Sequence, residues 1–285
     1  MKLSPFELHR PGSVSEASEL LERLGDEAVI YGGGTELLLV AKLGMTEFTS
    51  LVDVKGIPEL HGLSANGELT IGATVTHREL ERSEVVREGW PALALMERHV
   101  GNLRVRNTGT IGGNLCFADP HSDPATFLLA AGGELSLQRG SGAARRLGVD
   151  EFVRAPYLTA LEPAELLVAV HIPRAPAGSR LVHRKISFRE RPAATVAASI
   201  EVSDGTVTSA RLAVGSACAR PVRAAAAEEL LTGADAASVD RAAVGEAAAA
   251  GIEPIEDLNG AADYKRQLVR VLMARALAEA LPEAV

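Results

Sequence analysis

The stretch YGGGTELLLVAKLG (residues 31–44) decides how this chain folds, because it sets three glycines between an apolar strand and a short amphipathic helix. Glycine loses the most backbone entropy on folding, so a triplet indicates positive φ angles or a close approach of the backbone to another group. A glycine-rich turn between a strand and a helix presents backbone N–H groups and the positive end of the helix to an anion.

Two interpretations of this turn stay open from the turn alone. It holds no basic residue and matches neither the phosphate loop of NTPases nor the G-x-G-x-x-G pattern of dinucleotide folds. An anion here would be held by N–H groups and the Thr35 hydroxyl, which suits a pyrophosphate that undergoes no transfer chemistry. The other interpretation is a tight structural turn without a ligand.

A second glycine-rich segment, Thr110-Ile-Gly-Gly-Asn114, favours the ligand. Its small residues let a backbone approach, and Thr110 and Asn114 offer side-chain hydrogen bonds. Asp119 and Asp123 follow it and add acceptors suited to ribose hydroxyls, although Asp123 could instead cap the helix that begins at Pro124. Two glycine clamps in one domain predict a single extended ligand with a diphosphate at its centre.

The composition bounds the class of protein. A length of 285 residues predicts about two domains, and 47% hydrophobic residues are typical of a soluble globular chain. A net charge of −8 argues against a nucleic-acid or anionic-membrane surface. No apolar run predicts a membrane span, and the N-terminus lacks the apolar region of a signal peptide. Two cysteines are too few for a disulfide framework or a metal cluster, so we expect a cytoplasmic protein without a metal site.

Hydrophobic periodicity predicts alternating helices and strands in the first part of the chain and a hairpin followed by helices in the last. Asn66-Gly67 and Asp204-Gly205 are hairpin turn signals, and Ser13–Glu16 and Thr76–Glu79 read as capping boxes. We predict strands at 28–31, 50–54, 60–65, 68–73, 134–137, 165–172, 193–202 and 206–214. We predict helices at 14–24, 35–43, 91–99, 124–131, 224–231, 239–250 and 262–281, a short one after Thr76, and loops around 101–123.

The two glycine segments carry a specific resemblance. IYGGGTELLL (30–39) followed by VRNTGTIGGNLCFADPHSDPATFLLA (105–130) resembles the FAD-binding subunits of the molybdenum hydroxylases, the group of xanthine dehydrogenase and carbon monoxide dehydrogenase. The resemblance continues through EPAELLVAVHIP (162–173), RKISFRERPAATVAASIEV (184–202) and DYKRQLVRVLMARAL (263–277), and so covers nearly the whole chain.

The resemblance implies an α+β fold. A two-subdomain FAD-binding domain of the vanillyl-alcohol oxidase type would occupy residues 1–174, with subdomains at about 1–56 and 57–174. A small α+β domain with an antiparallel sheet and helices would follow at 180–285, after the linker at 175–179.

The resemblance also implies which residues hold FAD. The segment 30–37 would wrap the pyrophosphate with backbone groups, and the second segment and its aspartates would hold phosphates and sugar. The Leu167 backbone would lie beside the pyrimidine edge of the flavin, and Lys185 would lie near the isoalloxazine. The FAD-binding residues so implied are Ile30, Tyr31, Gly32, Gly33, Gly34, Thr35, Glu36, Leu37, Thr110, Ile111, Gly112, Gly113, Asn114, Asp119, Asp123, Leu167 and Lys185.

In this family a large molybdenum subunit oxidises the substrate and a small subunit carries two two-iron, two-sulfur clusters. The flavin subunit then passes the electrons to NAD⁺, oxygen or another acceptor. The resemblance therefore implies an electron-transfer subunit with FAD as its cofactor. Two other functions stay open: a self-sufficient flavin oxidoreductase with the vanillyl-alcohol oxidase fold, and a non-catalytic nucleotide-binding module.

Other conspicuous residues have weaker functional interpretations, and no catalytic residue is assigned. His77 and His121 are candidate proton carriers or flavin anchors, but we expect His77 to be a surface histidine. Cys116 is expected to be a small buried packing residue, and Trp90 likewise a packing residue. We expect residues 189–191, Arg-Glu-Arg, to form a solvated charged turn.

Overall fold

The computed structural model describes residues 3–188 and 191–281, which form three main sheets with helices packed against them. The three sheets lie within the three predicted segments, so the α+β class and the antiparallel C-terminal sheet are confirmed. The boundaries between the segments stay a prediction. No helix in the described part of the chain could span a membrane.

The first sheet is parallel, with the strand order β1-β3-β2. Ser13 starts its first helix by accepting the Glu16 N–H at 3.1 Å, and Gly25 ends it at a φ of 55°. The Glu16 carboxylate accepts from the Gly12 N–H rather than from Ser13, so only half of the predicted capping box forms. The elements are β1 (Glu7–His9), α1 (Val14–Leu24), β2 (Ala28–Tyr31), α2 (Leu37–Lys42) and β3 (Ser50–Asp53).

The second sheet is antiparallel, with the order β4-β5-β10-β6-β7. The predicted Asn66-Gly67 turn joins β4 to β5, with Gly67 at a φ of 83°. Thr76 and Glu79 form both bonds of the second predicted capping box. The strands are β4 (Leu63–Asn66), β5 (Glu68–Gly72), β6 (Glu134–Arg139), β7 (Arg145–Gly148) and β10 (Glu165–Pro173), with a separate pair β8 (Val153–Ala155) and β9 (Leu158–Thr159). The helices are α3 (His77–Arg82), α4 (Glu84–Gly89), α5 (Pro91–Glu97), α6 (Leu103–Thr108), α7 (Ile111–Phe117), α8 (Asp123–Ala131) and α9 (Val149–Phe152).

Two of these helices correct the prediction of loops around 101–123. The Asn102 side chain accepts the N–H groups of Arg104 and Val105 and so starts α6. The Thr110 hydroxyl accepts the N–H of Gly113 and starts α7. Paired glycines disfavour a helix on propensity, so α7 depends on its cap and its packing. Helix α8 is capped by Ser122, and Asp123 is its first residue, not its cap.

The third sheet is antiparallel, with the order β11-β12-β13-β14. Asp204 and Gly205 form the predicted turn between β12 and β13, at φ angles of 49° and 77°. Helix α8 packs against β12 and β13, and thereby fixes the second glycine segment against the C-terminal part. The elements are β11 (Arg180–Ile186), β12 (Ala194–Ser203), β13 (Thr206–Gly215), β14 (Val222–Arg223), α10 (Ala225–Glu229), α11 (Arg241–Ala250) and α12 (Ala262–Ala280).

Candidate cofactor site

The two glycine segments meet at one cavity of about 400 Å³, a volume in the usual range of small-molecule sites. One wall is apolar and is contributed by Val54, Leu60, Leu166 and other aliphatic residues. Charged and polar side chains of the cavity come from Asp119, His121 and Arg191. The cavity is therefore suited to a ligand with both ring systems and charged groups.

A larger, more open groove of about 960 Å³ adjoins the cavity and shares Gly33, Thr74 and Thr110 with it. We assign the cofactor site to the smaller cavity, because most residues of both glycine segments line it together with Asp119 and Asp123, and neither aspartate lines the groove.

The first glycine segment supplies free donors. In the described part of the chain, the backbone N–H groups from Gly32 to Thr35 donate to no protein acceptor, and the Thr35 hydroxyl has no partner. Gly34 has a φ of 70°, which favours glycine. These four residues are half-buried, and a row of unpaired N–H donors beside a cavity fits an anionic ligand such as the diphosphate of FAD.

Gly33 has one of the two reasons expected for the triplet, a close approach of its backbone to another group, and that group is backbone of the same chain. A Cβ at this position would lie 2.0 Å from the Thr108 carbonyl oxygen and 2.7 Å from Gly109 Cα. Gly33 is therefore required for direct packing of the first segment on the second, and this packing closes the clamp.

In the second glycine segment the backbone N–H groups from Ile111 to Asn114 bond within the protein. Ile111 and Gly112 donate to the carbonyls of Val75 and Ala73, and Gly113 and Asn114 donate to Thr110. Gly112 serves packing, since its Cβ would lie 2.6 Å from the Ala73 oxygen. What this segment offers a ligand is the Thr110 hydroxyl and the Asn114 amide, whose oxygen accepts from Ser122 at 2.6 Å.

A chain of ion pairs borders the polar side of the cavity. Arg191 contacts Asp119 at 2.5 Å and Glu36 at 3.1 Å, so it links the two glycine segments. The expectation of a merely solvated turn is wrong for Arg191, whereas Arg189 and Glu190 lie outside the described residues. Burial raises the pKa of Asp119, but hydrogen bonds from His121 and the charge of Arg191 outweigh it and lower the pKa overall.

His121 extends this chain into the C-terminal part. Its Nδ1 lies 2.9 Å from Asp119 and its Nε2 lies 3.0 Å from Asp257. Asp257 in turn accepts from the fully buried Lys265 at 2.7 Å. Sequence reasoning missed Asp257 and Lys265, because nothing local to them indicates a partner so distant in the chain.

Asp123 and Lys185 form a pair. Lys185 Nζ donates to Asp123 at 2.5 Å and to the His99 carbonyl at 2.7 Å. Asp123 lines the cavity. Lys185 is not among the described lining residues, and it contacts the Asp123 carboxylate. The positions predicted for these two residues relative to the flavin stay predictions.

The other predicted residues divide between the cavity wall and its support. Tyr31 faces the adjoining groove, where Lys55 lies 3.6 Å from its ring centroid, and Ile111 of the second segment is buried in the core. The predicted residues that line the cavity are Ile30, Gly32, Gly33, Gly34, Thr35, Glu36, Leu37, Thr110, Gly112, Gly113, Asn114, Asp119, Asp123 and Leu167.

Three of the weaker candidates are now placed. His77 is not a surface residue: it is buried in contact with Glu97 and reaches the cavity wall. Cys116 is only half-buried and lines the cavity, but it packs against the core, and burial raises the pKa of its thiol to about 12. Trp90 is buried and donates to the Pro173 carbonyl at 3.1 Å, so its packing role is confirmed. Among residues 3–188 and 191–281, no group of three His, Cys, Asp or Glu side chains could hold a metal ion.

Comparison with known proteins gives two family matches. Residues 4–175 match the FAD binding domain in molybdopterin dehydrogenase, and residues 187–280 match the CO dehydrogenase flavoprotein C-terminal domain.

Relatives of known function match over nearly their whole length. The carbon monoxide dehydrogenase medium chain of Hydrogenophaga pseudoflava is 32% identical, covering 95% of this chain and 96% of the relative. The nicotine 6-hydroxylase medium subunit of Paenarthrobacter nicotinovorans is 30% identical, covering 98% of this chain and 99% of the relative. A solved structure of the Hydrogenophaga pseudoflava carbon monoxide dehydrogenase lacking the Mo-pyranopterin moiety superposes with a TM-score of 0.94 at 34% identity, covering 98% of each chain.

The glycine clamp, the free amide donors and the matches over both parts of the chain point to the same conclusion, and they confirm the resemblance and FAD as the cofactor. This chain belongs to the FAD-binding medium subunits of the molybdenum hydroxylases, an oxidoreductase family that includes carbon monoxide dehydrogenase and xanthine dehydrogenase.

Proposed function

We propose that this chain is the electron-transfer subunit of a heteromeric molybdenum hydroxylase. It would hold FAD without a covalent bond, receive electrons from the iron–sulfur clusters of a small subunit and deliver them to NAD⁺, oxygen or another acceptor. The observation that carries the proposal is the row of unpaired N–H donors from Gly32 to Thr35, which faces a cavity lined by both glycine segments.

The chain's own residues would bind and orient the cofactor. The amides of the first segment and the hydroxyls of Thr35 and Thr110 suit the diphosphate, and the carboxylates beside them suit ribose hydroxyls. Leu60 and Leu167 give the ring systems an apolar wall. When bound, FAD supplies the redox chemistry, since it exchanges electrons both singly and in pairs.

No side chain is proposed as a nucleophile or a general acid. Burial raises the pKa of Cys116 and of Cys218 to about 12, so both thiols are protonated at neutral pH. Both cysteines are free, which supports a cytoplasmic, reducing location.

Partner subunits have a candidate docking surface near the polar side of the cavity. Tyr157 is exposed and its ring packs 5.3 Å from the ring of Phe117, a cavity residue. Leu258 is 95% exposed and lies between Asp257 and Asn259, which both contact His121. Exposed apolar groups so close to a cofactor site favour a protein interface, and we assign this one to the iron–sulfur subunit.

We expect the tagged chain, expressed in its own host, to co-purify with an iron–sulfur chain and a larger molybdenum chain. Metal analysis of that complex should find iron and molybdenum, and of the separated chain neither. Leu258→Asp should lower recovery of the iron–sulfur chain, because it buries a charge in the interface. The same substitution at Leu230, another exposed leucine, is the control and should not. Oxidation of an organic substrate by the FAD-loaded chain alone would contradict the proposal and favour a self-sufficient oxidoreductase.

A further inference from the structure

His77 and Glu97 form a pair beneath the cavity that is almost completely buried. Their side chains are 2% and 0% exposed, and His77 Nδ1 lies 2.7 Å from Glu97 Oε2. The second oxygen, Oε1, has no hydrogen-bond partner in the described chain. A buried carboxyl group is costly unless it is hydrogen-bonded, and among the described residues the His77 ring supplies the hydrogen bond that Glu97 makes. Glu97 therefore holds the His77 ring at Nδ1 and fixes its orientation.

The other nitrogen of the ring has no partner in the described part of the chain. His77 belongs to the cavity wall, and its Nε2 bonds to no group in residues 3–188 and 191–281. A Cβ built on Gly109 would lie 3.3 Å from His77 Cδ2 and 3.5 Å from the Thr35 hydroxyl. The Cδ2–Nε2 edge of the ring therefore lies where the two glycine segments meet.

The other basic side chains of the cavity wall are already neutralised. Arg191 is paired with Asp119 and Glu36, and His121 lies between Asp119 and Asp257. Among the described lining residues, Arg191 thus shares its charge with two carboxylates and both nitrogens of His121 face carboxylates, whereas His77 Nε2 bonds to no protein group. A protonated His77 would add a charge to the amides and hydroxyls of the clamp.

We propose that His77, oriented by Glu97, donates a charged hydrogen bond to the diphosphate of the bound dinucleotide. The inference rests on the proposed function, since it concerns the same cavity. His77 is the binding residue, and Glu97 is a positioning residue that fixes the ring and keeps Nε2–H facing the ligand.

The test uses the full chain and FAD as the probe. The double variant His77→Leu/Glu97→Leu replaces the pair by apolar groups of similar size, which is often close to neutral for folding. We expect its dissociation constant for FAD to rise about ten- to hundredfold, the usual effect of losing a hydrogen bond to a charged group. His77→Gln, which keeps a neutral donor, should lie between the double variant and the wild type.

A second readout separates ligand contact from a structural effect. In ³¹P NMR spectra of bound FAD, at least one phosphorus resonance should move in His77→Gln. The matched control is His171→Leu/Glu68→Leu, because His171 is another buried histidine beside a glutamate, at 3.1 Å, but does not line the cavity. The control should leave affinity and both resonances unchanged.

The outcomes are distinguishable. If the wild type binds no FAD, the proposed function fails. If the wild type binds FAD and the folded His77 variants keep both its affinity and its phosphorus resonances, the role assigned to His77 is wrong and the proposed function stands.

Discussion

Gly33→Ala is expected to abolish FAD retention while the C-terminal sheet stays folded. The added Cβ would lie 2.0 Å from a backbone oxygen, that of Thr108, and no rotation of a side chain relieves such a contact. The two glycine segments must separate, and the free amides from Gly32 to Thr35 then lose their alignment. An overpacking cost of up to about 3 kcal/mol corresponds to a loss of about 100-fold in affinity.

Fluorescence titration of the apo chain with FAD measures this effect. Gly56→Ala is the matched control, since no heavy atom lies within 4 Å of its Cβ and its φ is not in the left-handed region. It should bind FAD like the wild type. Stoichiometric FAD in purified Gly33→Ala would show that the clamp does not depend on contact between the two segments.

The second large effect is a loss of stability at acid pH that depends on His183. Burial lowers the pKa of this histidine to about 4; Asp123 opposes the shift, and Lys185 and His99 reinforce it. In the unfolded chain the group takes up its proton near its ordinary pKa of about 6.5. The unfolded state therefore binds more protons below that pH, and the free energy of unfolding falls as the pH decreases toward 4.

Between pH 7 and pH 5 this linkage amounts to about 2 kcal/mol. Urea unfolding of the wild type and of His183→Leu at the two pH values measures it, and the variant should lose about 2 kcal/mol less. Carboxylates whose pKa is lowered in the folded chain, such as Asp119 and Asp257, make both proteins less stable on acidification. The difference between the losses of the wild type and the variant therefore isolates His183. An equal loss in both would mean that His183 is not held neutral by burial.

Features encoded in a few neighbouring residues could be predicted from the sequence. The Asn66-Gly67 and Asp204-Gly205 turns form as expected because their φ angles are set locally. Helix α12 forms because its apolar face repeats with helical spacing, and Val269, Leu272 and Met273 are buried as predicted. The residues of the first glycine segment allowed either an anion site or a structural turn, the second glycine segment favoured the ligand, and the free amides of the first agree with that.

Features set by distant partners could not be predicted. His77 follows Thr76 inside a capping box, which is typical of a surface helix, yet Glu97 of α5 holds it in the interior. Helices α6 and α7 are too short to show a period and depend on side-chain caps and on packing against Ala73. The partners of His121 and Asp123 lie on other elements, at Asp257 and Lys185, and no local pattern indicates either contact.

The central claim is that this chain holds one FAD through the glycine clamp without a covalent bond. The most direct measurement is acid denaturation of the purified chain, followed by chromatographic identification and quantification of the released flavin. The account predicts one FAD per chain, released intact and leaving colourless protein. FMN in the supernatant, flavin that stays attached to the polypeptide, or no bound flavin after incubation with FAD would contradict it.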